Sequence, residues 1–200
     1  MGQITLKGTM AVLLLMVFAS MSYGQTVNHQ EQYDVKARIP QQNGFNVSIN
    51  RIQGNTWTTR TSVDFGELVY DNTYNIFLSN YIYAVDVGVT ANLPNWSIQH
   101  TRSSLVHTTN AAENLNNNIN VSFVKQLSSI NDQALDKVTY ANSDGKSYNK
   151  AQLDGGWLRI YYGIATGDVD NDAPGAQPIG ISKAAGNYQG RVTLTLYETL

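Results

Sequence analysis

Apolar residues in this chain recur at every second position, and this constrains the fold more than any other feature. In "YIYAVDVGVT", Tyr81, Tyr83, Val85, Val87 and Val89 fall on one face. In "GFNVSINRI", Phe45, Val47 and Ile49 do the same, and in "YDVKARIP", Tyr33, Val35, Ala37 and Ile39 oppose Asp34, Lys36 and Arg38 until Pro40 ends the run. A period of two is the signature of a strand with one face on a core. The tail "AAGNYQGRVTLTLYETL" carries it as clearly, with Tyr188, Val192, Leu194 and Leu196 alternating with Gln189, Arg191, Thr193 and Thr195. Shorter candidates are "SVDFGEL", "NIFLS", "WSIQH", "NINVSFV", "DKVTY" and "GWLRIYYGIA", separated by Gly, Asn, Asp or Pro. The competing segments "TTNAAENLNNN" and "QLSSINDQALDK" read as short helices or loops, the second with Leu127, Ile130 and Leu135 on one face. Roughly eight to ten short strands without long crossover helices predict an all-β, antiparallel sandwich.

Nothing but burial and backbone pairing is available to hold such a sandwich, because the chain has no Cys. That excludes disulfides and thiolate metal sites. The N-terminus nevertheless points to an oxidising compartment. Lys7, the apolar run "MAVLLLMVFAS" and the small-residue patch "SYG" are the three regions of a secretory signal peptide, with cleavage expected after Gly24. The run has about half the roughly 20 residues that a spanning helix needs. No later stretch is apolar enough to cross a membrane as a helix. Residues 25–200 are expected to form a single domain, secreted to the cell surface or passing through the periplasm.

The formal net charge is −2, and −3 once Lys7 leaves with the signal segment. A phosphate-tracking surface needs a basic excess, so nucleic acid is not an expected partner. "GDVDNDAPG" spaces Asp168, Asp170 and Asp172 like the opening of a calcium loop, but Ala173 and Ile179 stand where that loop needs Gly and a bidentate Glu. It reads as a solvated acidic turn. His29, His100 and His107 are the only histidines, His29 in a polar stretch ahead of the first strand and the other two flanking "TRSSLV". No nucleophile elbow, phosphate loop or metal-binding helix motif accompanies them. We therefore expect neither catalysis nor a cofactor. Trp96 and Trp157 read as core residues. Trp57, in "GNTWTTR", which reads as a polar loop, is an expected exposed contact for a ligand such as a sugar ring.

The two ends carry a resemblance. The tail "AAGNYQGRVTLTLYETL" resembles the C-terminal strand of the major subunits of alpha-class, colonisation-factor fimbriae, and "YDVKARIP" resembles their N-terminal strand. Spore coat protein U-like secreted domains share this pattern. The preceding "QTVNHQEQ" is longer and more polar than the fimbrial pattern. The resemblance implies an incomplete immunoglobulin-like sandwich completed by donor-strand exchange between copies. Tyr33, Val35, Ala37 and Ile39 would be donor residues, and Val192, Leu194 and Leu196 would border the acceptor groove. A periplasmic chaperone and an outer-membrane usher would be transient partners. The alternative left open by the residues is a self-complete secreted β-sandwich that binds a carbohydrate or surface ligand through its loops.

Overall fold

The alternating segments pair into two antiparallel sheets that face each other. The computed structural model describes residues 26–34, 44–89, 95–125, 135–139, 145–153 and 157–198. The four-stranded sheet is ordered β1 (Thr26–Asp34), β16 (Arg191–Glu198), β7 (Trp96–Arg102), β12 (Lys146–Asn149). The six-stranded sheet is ordered β11 (Leu135–Thr139), β10 (Ile119–Lys125), β13 (Trp157–Ile164), β6 (Ile82–Val89), β2 (Phe45–Gln53), β3 (Thr56–Arg60). Two three-stranded ribbons complete the described strands. One joins β14 (Ile179–Gly180), β5 (Ile76–Leu78) and β4 (Val69–Asp71), and the other joins β15 (Tyr188–Gln189), β8 (Val106–His107) and β9 (Asn110–Asn114).

Inward parity explains the core. On β13, Leu158, Ile160, Tyr162 and Ile164 are buried while the residues between them are not. They meet Tyr83, Val85 and Val87 of β6 and Ile119, Val121 and Phe123 of β10 in one apolar cluster. The four-stranded sheet answers with Ile98, Tyr148, Val192, Leu194 and Leu196. Ring contacts cross the gap between the sheets: Phe123 lies 5.6 Å from Tyr148 and 5.1 Å edge-on from His100, and His100 lies 6.2 Å from Tyr162. Arg102 on β7 also reaches across, donating from Nη1 to the Thr139 carbonyl on β11. This is an all-β antiparallel sandwich, as the alternation implies.

Several elements differ from the sequence-based expectation. "SVDFGEL" is a loop, because Gly66 has a φ of 65° and its N–H donates to the Asp64 carboxylate, a local turn that ends the alternation. "GNTWTTR" holds strand β3, joined to β2 by a two-residue Gly54–Asn55 turn in which Gly54 has a φ of 55°. Its threonines hide the strand from a hydrophobic pattern. "TTNAAENLNNN" contains β9 and a single 3₁₀ turn at Asn116–Asn118. Leu135 begins strand β11 and is exposed, while Leu127 and Ile130 lie outside the described residues. Trp96 is buried as expected, but Trp157 is exposed, since it has the opposite parity to Leu158 and Ile160. His29 belongs to β1, because an edge strand is held by its backbone and tolerates polar side chains. The signal segment lies outside the described residues.

His100 is 1% exposed, and its Nε2 shares a 2.9 Å hydrogen bond with the Tyr162 hydroxyl. Burial, aided by the nearby Arg102 charge, pushes its imidazole down to about 3. The unfolded chain therefore takes up a proton that the folded chain refuses as pH falls below about 6.5. Stability is lost across the window from there to about 3. His100→Gln removes the titration and keeps a polar group beside Tyr162. The stability advantage of the parent over this variant should shrink by about 3 kcal/mol between pH 7 and pH 4, read by urea unfolding. A difference that does not change with pH would refute the burial argument. Phe123→Ala empties the contact between the sheets and should cost about 3–5 kcal/mol in the same assay.

Candidate functional site

The C-terminal strand β16 lies inside the four-stranded sheet, bonded to β7 on one side and to β1 on the other. Val192, Leu194 and Leu196 are buried and stand opposite Arg102, His100 and Ile98 of β7. On the β1 side the same three residues stand opposite Tyr33, Glu31 and His29. The row Glu31, Leu194, His100 thus crosses three strands in register. Among the described residues, β1 is the edge of the sheet and has no strand on its outer side.

β1 spans Thr26–Asp34 and so overlaps the strand expected at residues 33–39 at Tyr33 and Asp34. Of the four expected donor residues only Tyr33 falls in it, and Val35, Ala37 and Ile39 lie outside the described residues. The strand is formed by the segment that the alternation pattern passes over. Glu31 is 6% exposed and faces inward beside Leu194, so the edge position next to the apolar face of β16 is filled by a segment with a buried carboxylate. A charged group in such a place costs desolvation even when it is bonded.

The acidic turn is satisfied from within. Asp172 is buried and accepts from the N–H groups of Thr166 and Gly167, at 2.9 and 2.6 Å, and from Asn120. Asp168 accepts from the Asp170 N–H and the Asn171 side chain, which together hold its carboxyl below the ordinary carboxylate range. These are backbone and amide donors, which leaves the carboxylates engaged in shaping the turn. Among the described residues, no group of three or more His, Asp or Glu is placed to hold a metal ion. His100 is locked in the core, and His107 lies at the surface on β8, 3.1 Å from the Ala185 carbonyl, so the two do not converge.

Trp57 is 46% exposed on β3. Its ring lies 5.0 Å from the guanidinium of Arg159, which is fixed to Asp86 by two hydrogen bonds of 2.6 and 2.9 Å. The Asp86 bonds raise the Arg159 pKa, so the group stays charged at any pH of interest. Arg159 and Asp86 were not legible as a site, since 73 residues separate them in sequence and only the β13–β6 register makes them opposite.

Among the described residues no helix is long and apolar enough to cross a membrane. No family model matches the chain, and no curated protein does. Among solved structures, a chain described by the words "Chaperone-tip adhesin complex is vital for synergistic activation of CFA/I fimbriae biogenesis" is similar to this one at 14% identity and a TM-score of 0.40, over 76% of this chain and 42% of that one. This chain therefore spans about two fifths of the solved chain that it matches.

Proposed function

We propose that this protein is a secreted structural subunit of a surface fibre, in which the N-terminal segment of one copy fills the sheet edge beside β16 of the next. The observation that carries this reading is the mismatch at that edge. β16 offers Val192, Leu194 and Leu196, while β1 sets His29, Glu31 and Tyr33 opposite them, with Glu31 buried. The next segment of the chain, "YDVKARIP", is apolar at the same parity. A shift of six residues, from His29 to Val35, would bring Val35, Ala37 and Ile39 opposite Leu196, Leu194 and Val192. An even shift keeps every side chain on its own face, so the exchange needs no rebuilding of the groove. A strand added in trans supplies the same main-chain hydrogen bonds and a better set of side chains.

In this reading β1 is a replaceable occupant that covers the edge of the unassembled subunit. An uncovered edge is an aggregation hazard, and a chaperone during export with an usher at the outer membrane would fit the same need. The role is structural and requires neither catalysis nor a cofactor. A self-complete binding domain is the second reading, favoured by the pairing of β1 with β16 of its own chain.

Val35→Asp and Ile39→Asp separate the two. An unpaired carboxylate buried against β16 is costly, so neither variant should assemble. The parent chain lacking residues 1–24 should form concentration-dependent oligomers or filaments, seen by size-exclusion chromatography and negative-stain microscopy. The variants should stay monomeric with melting temperatures close to that of the parent. A parent that remains monomeric at high concentration, or Asp variants that assemble as it does, would overturn the proposal and leave the self-complete domain.

A further inference from the structure

The outer face of the six-stranded sheet holds two exposed tryptophans that the fold presents as flat surfaces. On β13 and β6, Trp157 stands opposite Gly88, Arg159 opposite Asp86 and Tyr161 opposite Ala84. Trp157 is 42% exposed, and its ring lies directly on Gly88. A Cβ on that glycine would come within 2.9 Å of Cη2 and 3.0 Å of Cζ2 and Cζ3. The absence of a side chain at position 88 is therefore what lets the indole lie down on the strand. One ring face is spent on backbone, and the ring keeps its exposure on the other side. Two residues along the same strand, roughly 7 Å away, Arg159 carries the ring of Trp57. A cation over an indole is attractive, and the Asp86 pairing keeps that cation from swinging away.

Both rings are thus held by partners that leave them open to solvent, which a core residue or a casually exposed side chain does not require. Their surroundings are electrically balanced and mix polar with apolar side chains. Arg159 and Asp86 cancel, the outward residues on β2 are Asn46, Ser48, Asn50 and Ile52, and Ile52 stands between Trp57 and the exposed Ile82 of β6. Such a face does not suit a nucleic acid, a charged membrane or a strongly acidic peptide, since it has no net charge to offer them. It suits a ring with an apolar flat side and a rim of hydroxyls. The C–H groups on the flat side of a pyranose meet the negative face of an indole. The hydroxyls meet the amide, hydroxyl, carboxylate and guanidinium groups beside it.

We propose that this face binds a neutral, hexose-based glycan, with Trp157 and Trp57 as stacking platforms and Asp86, Arg159 and Ser48 as hydrogen-bonding partners. The site is on the opposite sheet from β1 and β16 and does not depend on the assembly proposal.

The test uses the chain lacking residues 1–24 and three soluble probes, cellohexaose, mannohexaose and chitohexaose, followed by tryptophan fluorescence and isothermal titration calorimetry. At least one probe should bind with a Kd of millimolar or tighter and change the indole emission. Trp157→Ala and Trp57→Ala should each weaken that binding at least tenfold with melting temperatures near that of the parent, because both side chains are exposed. Gly88→Ala, which lifts the Trp157 ring from the strand, should weaken it while both tryptophans remain present. Val35→Asp should bind as the parent does, whatever its effect on assembly. No binding by any of the three probes, or binding that survives both tryptophan variants, would overturn the proposal. So would self-association in sedimentation velocity that is lost with Trp157→Ala, which would make the face an interface between copies.

Discussion

The position of β16 governs this fold. It is the last described strand in the chain and yet an inner strand of its sheet, bonded to β7 in the middle and to β1, the first described strand, at the edge. Thr26 stands opposite Glu198, so that sheet is completed by the two ends of the described chain. Local contacts alone cannot form it, and a sandwich with such distant pairings is slow to fold. Until β16 is in place, β7 lacks one of its two neighbours and the inner residues of the six-stranded sheet lack much of their lid. Without disulfides to hold an early intermediate, the whole structure depends on Val192, Leu194 and Leu196 reaching the core face together.

The six-stranded sheet was largely legible from sequence because its central strands are buried on one face and open on the other. On β13, β6 and β2, alternation reports that geometry directly. The same parity contained the position of Trp157, since a residue next to Leu158 and three before Ile160 must face outward. Reading it as core treated the apolar run as a block and ignored its period. β3 was not legible, because Trp57, Thr58 and Thr59 form an edge hairpin whose stability comes from backbone pairing with β2 and leaves little hydrophobic pattern. β1 escaped for the same reason. The more apolar "YDVKARIP" drew the strand assignment, while the described pairing with β16 also takes in the polar segment before it.

The candidate sites were legible only in part, and the reason is again register. Trp57 stood out as an aromatic residue in a polar segment, but its partner Arg159 lies 102 positions away in number and three strands away along the sheet order from β3 to β13. Gly88 read as an ordinary member of an alternating strand. Its role appears only when Trp157 is set opposite it. Likewise the mismatch between Glu31 and Leu194 is invisible until the ends of the chain are paired.

The two proposed surfaces belong to different sheets, and this has a consequence for a polymer. Strand exchange at the edge beside β16 would consume residues of the four-stranded sheet and leave the outer face of the six-stranded sheet uncovered. Each added copy would then bring one more pair of flat indoles. Stacking on two tryptophans and a few hydrogen bonds gives a weak site by itself, because the ligand must lose its freedom to gain a small contact area. Repeated along a fibre, such sites meet a long glycan at high effective concentration, and the combined attachment can exceed any one of them by orders of magnitude. A shallow, electrically balanced platform is then sufficient, and the six-stranded sheet has no need of a deep pocket to hold a surface.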